Sequence, residues 1–181
     1  MAFKFRITDQ EGIYFITTTV VDWIDAFTRK ELAEVIIESL AYCQKEKGLI
    51  IYAWCLMPNH LHMIVSAKEG FKLSDIIRDF KKFTAKRIIS TIKEINESRT
   101  WMLDKFQFAA RTNFKSDEYK FWQTGFHPIL LESEYFMEQK LNYIHQNPVK
   151  AGFVVQEEHY KYSSAIDYHG GQGLLDVVIL G

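Results

Sequence analysis

Apolar positions recur along the chain in two rhythms, a two-residue alternation that predicts strands and a 3.6-residue spacing that predicts helices. Tyr14 to Val21 (YFITTTVV), rich in β-branched and aromatic residues after Gly12, reads as a first strand. From Arg29 to about Glu46, Leu32, Val35, Ile36, Leu40 and Tyr42 fall at near-helical spacing, with Thr28 as expected cap and Gly48 as expected stop. Leu49 to Leu56 (LIIYAWCL) and His60 to Ala67 (HLHMIVSA) are strand-like, and Met57, Pro58 and Asn59 between them predict a hairpin. The stripe Leu73, Ile76, Ile77, Phe80, Phe83, Ile88 and Ile92 predicts a long helix from Lys72 to about Glu97.

Further along, the rhythm weakens. Residues 98–131 show little period, and the sequence leaves their structure open. Ser133 is a good N-cap for a helix carrying Phe136, Met137, Lys140, Leu141, Tyr143 and Ile144, which Pro148 is expected to end near Asn147. Gly152 predicts a turn into a short extended piece (FVV), and the last dozen residues are expected to form a loosely held tail. Strand, helix, hairpin, helix and further elements make an α+β pattern, a mainly antiparallel sheet flanked by helices.

The 181 residues, 48% hydrophobic and 15% aromatic, suffice for one good core, so a single domain over 1–181 is expected. Its core spans about 10–168 and its tail about 169–181. Neither end has the apolar helix of a signal peptide or membrane span, so the expectation is a cytoplasmic protein with no membrane partner. Cys43 and Cys55 are too few and too far apart for a disulfide framework or a paired-cysteine zinc site.

A net charge of −1 carries no global sign of nucleic-acid binding, so any basic surface must be local. Arg78, Lys81, Lys82, Lys86 and Arg87, with Asp79 the one acid among them, form such a cluster on the polar face of the long helix. They are candidates for contacting DNA phosphates, with Trp122 and Phe126 as candidates for stacking on bases.

His60 and His62 stand two apart in a predicted strand, so both side chains project from one face while Leu61 turns to the other. That spacing suits metal chelation, and equally fits two unrelated histidines near a hairpin. Tyr143 and Asn147 stand four apart on a predicted helix and share a face. A nucleophile and a metal ligand could share it, as could a half-buried tyrosine and an asparagine that closes the helix. His127 is a reserve candidate for metal binding or proton transfer, His145 should face away from Tyr143, and Cys55 reads as core.

Two of these segments together resemble a known family. YAWCLMPNHLHMIV is similar to the His-hydrophobic-His segment of the single-tyrosine HUH transposases, the IS200-like family, and YIHQNPVKAGFV resembles their tyrosine helix, above all in the REP-associated branch. FKKFTAKRI, FWQTGFH and YKYSS are lesser matches. The resemblance implies a ferredoxin- or RRM-like fold with the histidine pair on a central strand and the tyrosine helix docked beside it. It implies a transposase that cleaves and rejoins single-stranded or hairpin DNA through a 5′-phosphotyrosine intermediate. By position, Tyr143 would be the nucleophile, His60 and His62 metal ligands, and Asn147 the third protein ligand, where some relatives carry glutamine; Gln146 stands beside it. A tyrosine hydroxyl, with an ordinary pKa of about 10, is a poor nucleophile at neutral pH, which is why a metal is expected beside it. The resemblance favours Mg2+ or Mn2+, while ligand preference leaves zinc open. Relatives of the insertion-sequence branch form homodimers that complete active sites in trans, whereas the REP-associated branch can act as monomers. Rival readings are a domesticated DNA-binding protein of the same fold, a zinc hydrolase using Cys55 or His127 beside the histidine pair, and a purely structural protein in which these residues are packed.

Overall fold

The computed structural model describes residues 6–111 and 118–181; residues 112–117 belong to the stretch whose structure the sequence leaves open. Its antiparallel sheet is four-stranded, in the order β2-β3-β1-β4. The strands are β1 (Tyr14–Thr19), β2 (Leu49–Met57), β3 (His60–Ala67) and β4 (Ile129–Leu130). Pro58 and Asn59 alone link β2 to β3 in the expected hairpin. β1 runs antiparallel along the other side of β3, with Thr17 opposite His62 and Thr19 opposite His60.

Strand alternation sorts the two faces of this sheet. Leu61, Met63 and Val65 of β3 join the main core with α1 (Lys30–Glu46) and α2 (Leu73–Glu94). Ile64 of β3, Phe15, Ala53 and Cys55 meet Leu131 and Ile144 on the opposite face, where α4 (Glu134–Lys150) packs. The result is the expected α+β architecture, an antiparallel sheet flanked by helices.

Several local expectations change. Thr28 does not cap α1: Arg29 is the N-cap, and the Thr28 hydroxyl donates to the Asp25 carbonyl within a preceding 3-10 turn. Arg29 instead clamps the buried Glu97 carboxylate, which Arg99 also holds; these bonds keep Glu97 well below the usual carboxylate range. The clamp ties the start of α1 to the link between α2 and α3 (Trp101–Arg111), a helix within the stretch the sequence leaves open.

Pro148 does not end α4. The helix runs through it to Lys150, because the φ of proline is helical and only the Ile144 carbonyl loses its partner so close to the end. Gly152 supplies the stop, at φ +77, with Gly152 N–H donating to Val149 O and Phe153 N–H to Pro148 O. Beyond it the FVV segment forms no strand.

The tail is not loose. Leu175 is buried, and Val178 N–H donates to the Ile51 carbonyl of β2. β2 is an edge strand, and its outer side is also paired by Tyr162–Ser164: Leu56 N–H donates to Tyr162 O, and Ser164 N–H to Trp54 O. The YKYSS segment therefore seals a sheet edge that would otherwise present bare backbone groups.

Candidate active site

His60 and His62 stand at the start of the central strand, on the α4 face, with ring centroids 4.6 Å apart. The His62 ring stacks on Phe15 of β1 at 5.5 Å, and its Nδ1 lies 2.7 Å from Thr17 Oγ1. Its Nε2 is buried with no hydrogen-bond partner among the described residues. Such an atom is tolerable as a bare lone pair awaiting a ligand, which requires Nδ1–H to donate to the Thr17 hydroxyl.

His60 is fixed by a longer chain of bonds. The Asn59 amide NH2 donates to Asp25 Oδ1 at 2.8 Å and to the Trp23 carbonyl at 3.3 Å. That orients Asn59 Oδ1, an acceptor only, toward His60 Nδ1 at 2.7 Å. The proton of His60 therefore sits on Nδ1, and Nε2 carries the lone pair. Burial pushes the His60 pKa down to about 4 and, together with the charges of His60 and Lys140, that of His62 down to about 3. Both rings are neutral at physiological pH, the state in which imidazole binds metal.

α4 brings Tyr143 to this pair. The Tyr143 ring meets the His62 ring edge-on at 5.2 Å and Phe15 at 5.9 Å, while 42% of the residue stays exposed. Lys140, one turn earlier, places its ammonium 4.8 Å from the Phe15 ring and 5.6 Å from the Tyr143 ring. Among the described residues no carboxylate pairs with it, so a positive charge stands beside the tyrosine. Cys55, directly opposite His62 on β2, is fully buried, and its thiol is pushed up to about 12 by burial, so it offers no thiolate.

A neutral histidine pair with open nitrogens, a half-exposed tyrosine and an unpaired lysine form one face. The sequence profile of the family described as Transposase IS200 like matches residues 20–147, which takes in both the histidine strand and most of the tyrosine helix. The chain belongs to the IS200-like transposase family. A transposase role, and with it DNA-processing chemistry, follows from that membership. A Haemophilus influenzae protein named as a REP-associated tyrosine transposase is 23% identical over 154 residues, 84% of this chain and 79% of its own. A solved REP-associated tyrosine transposase, bound to a REP hairpin, matches the fold at a TM-score of 0.64 and 20% identity, covering 100% of this chain and 96% of that one.

In this IS200-like transposase the sequence-predicted residues fall in different places. His60, His62 and Tyr143 come together. Asn147 lies one turn beyond Tyr143 on α4, half-buried, and its amide has no hydrogen bond among the described residues; Gln146 is already bonded to Glu157. His145 points away as expected, into a buried bond with Ser164 at 2.9 Å. His127 is exposed in the loop before β4.

Trp122 is a correction: it is only 5% exposed, and its indole N–H donates to Thr84 Oγ1, so it belongs to the core and offers no face for a base. Phe126 is partly buried against the main core. Lys81 is corrected as well: its ammonium donates to the Gln123 and Gly125 carbonyls and is desolvated enough to lower its pKa to about 8. Arg78 pairs with Asp75 and Asp79, and Arg87 with Glu94. Lys82 and Lys86 remain exposed, with Lys93 following on the same stripe of α2.

The sequence reasoning missed Thr17, Asn59 and Lys140. Lys140 carried a readable signal, its position three before Tyr143 on one helix face.

Proposed function

We propose that this transposase cleaves and rejoins single-stranded or hairpin DNA, with Tyr143 as nucleophile and His60 and His62 as ligands for Mg2+ or Mn2+. The observation that carries it is the buried Nε2 of His62, without a hydrogen-bond partner among the described residues, beside the half-exposed Tyr143 ring. Asn147, half-buried one helical turn beyond Tyr143, offers an amide oxygen on the tyrosine face and serves as third ligand. Both histidines are neutral and supported through Nδ1, His60 by an acceptor that fixes its tautomer and His62 by the Thr17 hydroxyl, so the donor set fits a divalent cation. A bound cation would polarise a non-bridging phosphate oxygen and offset charge growing in the transition state.

The Tyr143 oxygen attacks the phosphorus of a phosphodiester, forming a bond that leaves a 5′-phosphotyrosine. The P–O3′ bond breaks, and the strand departs with a 3′-hydroxyl that takes up a proton equivalent to the one tyrosine loses. Reversal by a 3′-hydroxyl rejoins strands without an outside energy source, because the phosphoester count is unchanged. Lys140 holds the scissile phosphate close to Tyr143 by charge. Tyr143 sits beside His62 of its own chain, which supports cleavage in cis and a single-domain monomer, with a homodimer not required. Lys82 and Lys86, on the sheet face away from the histidines, contact phosphates outside the cleaved segment. The REP hairpin held by the solved relative supports a DNA hairpin as substrate.

The test is a denaturing gel of labelled hairpin DNA incubated with Mg2+ or Mn2+. A covalent adduct is expected with the natural protein and is lost with Tyr143→Phe or with EDTA. Binding with no adduct from any hairpin would favour the DNA-binding protein without strand transfer, and an adduct that survives Tyr143→Phe would assign another nucleophile.

A further inference from the structure

The site does not stop at His60. Trp23 meets the His60 ring edge-on at 5.8 Å, so Trp23, His60, His62 and Tyr143 form a continuous row of rings. Trp23 is 58% exposed, between Val21 and Ile24, which are both buried. Its backbone is left-handed, φ 54, as is that of Asp22 before it. For a bulky residue that conformation is unfavourable and persists only when its surroundings enforce it.

The surroundings do enforce it. Val20 N–H donates to the Asn59 carbonyl, Phe27 N–H to the Pro58 carbonyl, and the Asn59 amide to the Trp23 carbonyl. With the Asn59 amide also donating to Asp25 Oδ1, four hydrogen bonds fasten the loop to the turn that leads into His60. Asp22, the acidic neighbour, lies 3.9 Å from Lys105. A strained, tightly fixed loop that holds a large aromatic ring out in water beside the histidine pair is arranged for a flat apolar ligand.

We propose that Trp23 is a stacking platform for an unpaired nucleobase next to the scissile phosphate. This rests on the reading of the histidine pair as the cleavage site. With the phosphate over the histidines and Tyr143 at one end of the row, the base of an adjoining nucleotide reaches the other end. Stacking on an indole face tolerates any base, so Trp23 fixes the position of the strand and leaves sequence choice to other residues.

The experiment combines Trp23→Ala and Trp23→Phe with abasic sites. First, binding of a short labelled thymidine oligomer is measured by fluorescence anisotropy in protein carrying Tyr143→Phe, so that cleavage plays no part. Trp23→Ala is expected to weaken binding about tenfold and Trp23→Phe to retain most of it; equal affinity for Trp23→Ala overturns the proposal. Second, in otherwise natural protein, abasic replacements flank the phosphate mapped as the cleavage point. One of them should slow adduct formation about tenfold in natural protein and less than about twofold in Trp23→Ala. An undiminished penalty in Trp23→Ala also overturns the proposal. Natural protein that forms no adduct, yet loses oligomer binding through Trp23→Ala, would sink the cleavage reading and leave the stacking platform standing. Because the ring is exposed, the thermal midpoint should not move.

Discussion

Leu61 and His62 are neighbours on β3, yet one is locked among aliphatic side chains under α1 and α2 and the other faces α4 with a nitrogen left unbonded. The face under α1 and α2 is closed by packing: Leu32, Ile36, Leu40, Leu61 and Ile77 have essentially no exposed surface. The α4 face combines a small apolar cluster with polar groups whose bonds are incomplete. The lesson is that one strand supplies both fold and chemistry, divided by alternation alone, so the two should be separable by mutation.

The sharpest way to test that division is His62→Leu. It should reduce adduct formation by at least about 100-fold while leaving the unfolding midpoint without metal unchanged or higher, since it replaces an unsatisfied buried nitrogen with an apolar side chain. Wild-type cleavage by this variant would break the comparison. Next in size, Leu61→Ala should cost about 2–5 kcal/mol in denaturant unfolding, with metal-dependent cleavage retained under conditions where the protein is folded.

A third effect comes from pH. Burial holds His60 at about 4, His62 at about 3 and His145 at about 4, all below the ordinary value near 6.5. Between pH 6.5 and 4 the unfolded chain therefore binds more protons than the folded one. Stability is full above about pH 6.5 and falls as pH drops, by on the order of 1 kcal/mol per pH unit for each histidine. Denaturant midpoints at pH 7 and pH 5 measure this, and His62→Leu should make the decline shallower; equal midpoints would mean that the imidazoles are not desolvated. The smallest effect belongs to Ser133, whose side chain accepts from Phe136 N–H at the start of α4. Ser133→Ala should cost about 1 kcal/mol by thermal unfolding and leave cleavage intact.

Much of this was legible in the sequence because it is local. Period two placed His60 and His62 on one face and Leu61 on the other, and helical spacing put Tyr143 and Asn147 together. What was hidden depends on partners far along the chain. Thr17 meets His62 only through the register of β1 against β3. Trp122 reads as a free aromatic until Thr84, on α2, is seen to take its N–H. The acidic partners of Arg78 and Arg87 sit within a few residues on α2 and could have been read from helical spacing. Trp23 gave no signal, because its left-handed backbone is enforced by Asn59 and not announced by a glycine.

The buried bond between His145 and Ser164 has a mechanical consequence. Ser164 also receives the Trp54 N–H, so the tyrosine helix is bolted to β2 on the side away from Tyr143. A DNA end joined to Tyr143 would then hang from a fixed post and not from a swinging arm. Its local concentration at the histidine pair would stay high through the life of the covalent intermediate, favouring resealing over escape.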